Sequence, residues 1–286
     1  MEGITYSHEH MVIDLSKGKG DPDCYLNVYQ DALDELSDLH SKGVVRIVDC
    51  SNHGIGVDYE TNQRIQEKTG IHIVNSTGFY KDPFFPDYVA DSSVDDLVQI
   101  MCGDIAKHHA EVIGEIGTSK DVFTADEKKV FEAACVAQKK TNTVIITHTT
   151  LGTLQVEQVQ FFKQRNIDLG KVIISHVALK KDFDSICQIL DMGVNVAFDT
   201  IGKTKYLDDA IRIEWIKKLI EMGYTGQLLM SMDCTRKSHL KKNGGPGYAY
   251  LIDSFVPRLI DAGVSQDSIN QIMTKNFQAV LERGEL

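Results

Sequence analysis

Short β-branched runs recur along the chain at 3–7, 44–50, 71–77, 111–117, 143–148, 171–176, 193–199 and 226–233. Between them lie segments whose apolar residues return at helical spacing: 28–42, 57–69, 94–109, 125–140, 153–165, 182–191 and 207–223, with 248–263 after the last run. Strand–helix alternation of this kind implies parallel strands joined by right-handed crossovers. Eight such units predict an α/β fold closed into a (β/α)8 TIM barrel. An open doubly wound sheet is the alternative, but the Gly-rich turn expected after its first strand is missing, and His8-Glu9-His10 stands there instead. The stretch 265–283 predicts one or two short closing helices, with Gly263 as the stop of the helix before them.

Composition narrows the class. The 286 residues contain only 5 prolines and no low-complexity stretch, so 1–286 reads as one barrel domain. No apolar segment approaches a membrane span, and the chain runs into its first strand without a charged and apolar leader, which makes a cytoplasmic location the expectation. The 6 cysteines form no Cys-x-x-Cys pair, so reduced thiols in or near the core are expected rather than disulfides or a thiolate metal site. A net charge of −11 argues against nucleic acid and anionic membrane as partners, because a phosphate surface demands a basic face. A small-molecule substrate is expected instead.

The candidate chemistry follows from where the histidines stand. His8 and His10 are two apart at the end of the first run, so an extended strand would aim both imidazoles at one point. His148 ends the fifth run, His176 the sixth and Asp233 the eighth, while Glu115 lies in the fourth. A barrel collects such strand ends at its C-terminal mouth, where active sites of this fold are built. Each residue also has a plain structural reading. A single strand-end histidine is more often a hydrogen-bonded core residue, Glu115 could pair with a base, and Asp233 could cap a helix. Four imidazoles and two carboxylates meeting at one mouth make two divalent metal ions the better account, with the central Glu115 as bridge. Two such ions sharing a hydroxide would generate a nucleophile at neutral pH and polarise a carbonyl or phosphoryl oxygen, which is hydrolase chemistry. His40, His72, His108 and His109 read as surface or packing residues, and His53 as a loop residue near the mouth.

The motifs Ser7-His8-Glu9-His10, Thr77-Gly78-Phe79-Tyr80, Gly114-Glu115-Ile116-Gly117-Thr118-Ser119, Thr147-His148-Thr149, Ser175-His176, Phe198-Asp199-Thr200-Ile201-Gly202-Lys203 and Ser231-Met232-Asp233 extend through Gly244-Gly245-Pro246-Gly247-Tyr248. With them the chain resembles the phosphotriesterase-like branch of the amidohydrolase superfamily, and within it the bacterial homology-protein subgroup. That resemblance implies a binuclear centre, usually Zn2+. His8, His10 and Asp233 would hold the more buried ion, and His148 and His176 the more exposed one. Glu115 would take the bridging place that many relatives fill with a carboxylated lysine.

By the same resemblance the expected reaction is cleavage of an ester-type bond, a lactone ahead of an organophosphate triester, by attack of a metal-bridging hydroxide. Asp233 would accept the proton and pass it to the leaving oxygen, and Tyr80 would either orient the reacting groups or merely cover the site. Lys203 and Lys205 after the seventh run, with Arg236 and His239 after the eighth, are the expected substrate-binding residues, since barrel loops there often take phosphate. Lactones of phosphorylated sugars, substrates of some relatives, would suit those cations. Amide hydrolysis at the same metals and a non-catalytic metal-binding barrel are the competing readings, and a homodimer is left open.

Overall fold

Consecutive valine and isoleucine residues form the strands, as in Val144-Ile145-Ile146 and Val172-Ile173-Ile174, because a pleated surface buried on both faces selects branched apolar side chains at every position. The computed structural model describes residues 3–284. It contains eight parallel barrel strands: β1 (Ile4–Glu9), β2 (Val44–Asp49), β3 (His72–Val74, resuming at Ser76–Thr77), β4 (Val112–Thr118), β5 (Val144–Thr149), β6 (Val172–Ile174), β7 (Asn195–Phe198) and β8 (Leu228–Met230). Ladders run β1-β2-β3 on one side and β8-β7-β6-β5-β4-β3 on the other. Helices α1 (Leu33–Ser41), α2 (Tyr59–Thr69), α3 (Val94–His108), α4 (Ala125–Thr141), α5 (Gln155–Gln164), α6 (Phe183–Asp191) and α7 (Asp209–Glu221) follow the strands in turn, and α8 (Val256–Asp261) follows β8. This is a (β/α)8 barrel, as the alternation predicts.

The two faces of each strand go to two cores. Val48, Val74, Val112, Ile146, Ile173, Ala197 and Leu229 form one cluster inside the barrel, which Phe277 and Val280 of the last helix (Asn276–Glu282) join. Their neighbours Ile47, Ile73, Ile113, Ile145, Ile174 and Val196 pack outwards with the helices in the larger cluster. The crossover helices begin at polar caps. Asp58 accepts from the Thr61 amide at the start of α2, while Ser93 with Asp96 and Thr124 with Glu127 form reciprocal capping boxes for α3 and α4. Each such cap contributes about 1 kcal/mol.

Several boundaries differ from the sequence reading. The third run breaks at Asn75, whose side chain bonds Asn62 and the carbonyl of His108, so the halves of β3 pair with different neighbours. The 28–42 segment is two helices divided at Ala32, where φ is −150°. A small antiparallel hairpin, Val12–Asp14 with Tyr25–Asn27, follows β1 and is too short to show in the pattern. The 265–283 region is three pieces, Gln266–Asn270, a π turn over Gln271–Lys275 and the last helix. All six cysteines are free, and among the described residues no helix is long and apolar enough to cross a membrane.

Candidate metal centre

Glu115 reaches the barrel mouth through a local break in strand alternation. The β4–β5 register shifts between Ile113 and Ile116. Val112 therefore joins the interior cluster, Ile113 and Ile116 pack outwards, and Glu115 turns in, three residues after Val112. Gly114 makes the shift possible. Its φ is +146°, and a Cβ there would lie 2.1 Å from the Ile146 carbonyl oxygen, a position only glycine can take.

Around Glu115 the expected ligands converge as two overlapping sets. In the first, His8 Nε2 lies 3.3 Å from Glu115 Oε2 and 3.9 Å from Asp233 Oδ1, and His10 Nε2 lies 3.4 Å from Glu115 Oε1 and 3.3 Å from Asp233 Oδ1. In the second, His148 Nδ1 is 3.1 Å from Glu115 Oε2 and 3.0 Å from His176 Nε2, which is itself 3.4 Å from Oε2. Ligand atoms ~2.0–2.1 Å from one tetrahedral zinc stand ~3.3 Å apart, so both sets have the spacing of a coordination shell. The far side of the first two imidazoles is already occupied: His8 Nδ1 meets Ser175 Oγ and His10 Nδ1 meets Ser51 Oγ, each at 3.0 Å. If each Nδ1 carries the proton, both Nε2 lone pairs face the centre. Those Nε2 atoms are buried and have no hydrogen-bond partner of their own. The donor set fits two divalent ions.

The electrostatics are those of a buried anionic cage lined with imidazoles. Burial pushes the Asp233 carboxyl up, but Lys203, His10 and the other imidazoles hold it well below the usual range. Burial likewise opposes ionisation of Glu115, and His8 and His148 overcome it. His148 is driven down to about 4 by burial, so it is neutral and free to ligate. Tyr80 is buried, its phenol pushed well up by desolvation and by Glu115, with its hydroxyl 3.2 Å from His148 Nε2.

The mouth forms a cavity of about 210 Å³ over Glu115, His148, His176 and Asp233. The expected substrate-binding residues divide around it. Lys203 lines it, but its ammonium is paired with Asp233 Oδ2 rather than held out for a ligand. Arg236 and His239 line it too. Arg236 is tethered to Asp21 at 2.8 Å, and His239 accepts from the Thr235 amide through Nδ1 and is pushed down to about 4 by burial and Lys203. Lys205 is not brought to this cavity. It is exposed in an adjoining cleft, because the loop after β7 turns its side chain away from the metals. His53 belongs to neither metal set: it bonds Asp104 at 2.8 Å and stacks on Phe79.

Sequence reasoning missed several supporting groups. Asp199 receives His176 Nδ1–H and lies 3.4 Å from His8 Nδ1. It ends the seventh run just as Asp233 ends the eighth, and that position was the available signal. Ser51 and Ser175 are found only through contacts across 41 and 167 residues, which no local pattern shows. Lys19 and Lys81 also line the cavity, and burial pushes both ammonium groups down.

Comparison with known proteins agrees with this geometry. Residues 1–281 match the family model of the Phosphotriesterase family. The phosphotriesterase homology protein of Escherichia coli strain K12 is 39% identical over 280 residues, 96% of each chain. Its crystal structure, with phosphate in the active site, matches at a TM-score of 0.94 over 96% of this chain and 97% of that one. The lactonase Lmo2620 from Listeria monocytogenes matches at 0.90 with 27% identity, covering 98% of this chain and 94% of that one. The N-acetyltaurine hydrolase of Bos taurus is 27% identical over 261 residues, 85% of this chain and 74% of its own. The chain belongs to the phosphotriesterase family and is a metal-dependent hydrolase.

Proposed function

We propose that this protein hydrolyses a lactone or related carboxylic ester bearing an anionic group, at a pair of Zn2+ ions. His8, His10 and Asp233 would hold one ion, His148 and His176 the other, and Glu115 would bridge them. The observation that carries this reading is the pair of buried, unpartnered Nε2 atoms of His8 and His10, facing carboxylate oxygens at 3.3–3.9 Å. When bound, the ions supply an activated water and polarise the substrate carbonyl. The residues do the rest. Asp233 is held ionised by Lys203 and so is ready to take a proton on Oδ2 and return it to the leaving oxygen. Tyr80, kept as a neutral phenol, presents a hydroxyl beside His148 that orients the substrate's reacting end. Arg236, with Lys19 and Lys81 also lining the cavity, attracts the anionic end and fixes which way the substrate enters. Phosphate in the active site of the Escherichia coli relative and the lactonase name of the Listeria relative both support this choice.

Amide hydrolysis is the second reading, favoured by the N-acetyltaurine hydrolase relative, since an N-acylated anionic amine would use the same cations. A neutral organophosphate triester would leave them unused.

The test is to strip the protein with a chelator, restore zinc, and assay phosphorylated sugar lactones, neutral lactones, N-acyl amides and aryl phosphotriesters. About two equivalents of zinc should return, Glu115→Ala should lose most of that binding, and anionic lactones should turn over fastest. Asp233→Asn should lower kcat by at least ~10²-fold. Full zinc loading with no turnover of any substrate would favour a non-catalytic metal-binding barrel.

A further inference from the structure

Glu9 lies between two of the metal-facing histidines, is fully buried, and takes no part in the chemistry above. Its side chain reaches across the seam between β1 and β8. Among the described residues no strand ladder joins β1 to β8. What spans that seam is Ser7 Oγ donating to the Met230 carbonyl at 3.2 Å, the Asp233 amide donating to the His8 carbonyl at 3.2 Å, and Glu9. Glu9 Oε1 accepts from Ser231 Oγ and the Met232 amide, each at 2.7 Å, and from the Asp233 amide at 3.3 Å, while Oε2 accepts from the Cys234 amide at 2.9 Å. One carboxylate thus gathers four donors from residues 231–234 and stands in for the missing ladder.

The seam matters because one ligand set straddles it. His8 and His10 come from the β1 side and Asp233 from the β8 side, where Asp233 is held at φ +52°, a left-handed conformation unfavourable for a non-glycine residue. Amides converging on a carboxylate hold that turn in place, since a carboxylate offers acceptors only and satisfies every donor aimed at it. A glutamine of the same shape would set an NH2 group against backbone N–H donors.

We propose that Glu9 is a positioning residue: by clamping residues 231–234 to β1 it sets the spacing of His8 and His10 from Asp233, and so the affinity of the ion they would hold. This rests on the metal reading above.

The test is zinc titration of the metal-stripped protein against a chelating dye, paired with the visible absorption of the cobalt(II)-loaded form. Glu9→Gln should keep the barrel by circular dichroism and keep one ion, while the other binds at least ~10-fold more weakly and its cobalt bands change. Two equivalents bound by Glu9→Gln with wild-type affinities and an unchanged cobalt spectrum would overturn the proposal. Should Glu9→Gln not fold, Ser231→Ala removes one of the four donors and leaves the backbone intact. Weakening of the same single ion supports the clamp, and unaltered binding of both ions overturns it. Wild-type protein that takes up no metal would instead overturn the metal reading on which the clamp rests.

Discussion

His176 is held by Asp199 at two points: its ring Nδ1 donates to Oδ1 at 2.8 Å, and its backbone amide donates to the same oxygen at 3.0 Å. Both contacts are buried, and His176 itself is in the left-handed region at φ +60°. The double hold fixes ring and backbone together and leaves Nε2 for the centre. Asp199→Asn keeps the shape but removes the charge that makes the imidazole a strong donor. It should weaken one of the two ions about 10–100-fold and leave the other nearer its wild-type affinity, read by zinc titration. Equal affinities in both proteins would show that Asp199 does not support the ligand.

Gly114 is the hinge that turns Glu115 inwards. Gly114→Ala would place a methyl group against the Ile146 carbonyl, so the strand must shift. Unfolding in urea should show a loss of about 1–3 kcal/mol, and zinc content should fall with it because Glu115 moves with the strand. A variant of wild-type stability with two ions bound would mean that the bulge tolerates a side chain.

Asp104 gives a pH dependence remote from the metals. Burial pushes its carboxyl up, but hydrogen bonds from His53 Nε2 at 2.8 Å and Thr77 Oγ1 at 2.6 Å bring it below the usual range. A carboxylate depressed in the folded state contributes stability that is fully present above the unfolded value of about 3.9 and is lost as pH falls through the folded one. Asp104→Asn should therefore cost about 2 kcal/mol at pH 7, with the difference from wild type shrinking below about pH 4. A difference that stays constant down to pH 3 would assign the loss to packing instead of charge.

Arg236 and Lys205 are both expected substrate-binding residues by sequence, and they are not equivalent in space. Arg236 lines the metal cavity and Lys205 only the adjoining cleft. Arg236→Ala should raise KM for a phosphorylated lactone by about 10-fold or more while changing KM for the neutral lactone little, and Lys205→Ala should change neither appreciably. An equal effect of both variants would place the anion in the cleft.

The periodic signals were readable along the chain because each is local. β-branched runs and helical spacing gave the eight units, and a ligand-type residue near the end of five of those runs suggested a shared metal centre. Side-chain alternation alone would aim Glu115 outwards, because it stands an odd number of residues after the interior Val112. In β4 that alternation breaks, where Gly114 shifts the register and turns Glu115 in to the barrel mouth. No count of residues reveals such a shift, because it depends on how one strand lies against its neighbour. The same holds for Lys203, which proved to be the partner of Asp233, for Lys205, which the loop after β7 turns away, and for Asp199 and Glu9, whose partners come from other strands. Composition and periodicity set which residues could reach the mouth. Closure of the barrel decided which atoms meet there, since hydrogen bonds and metal ligation act over about 3 Å between groups that are up to 242 residues apart in the chain.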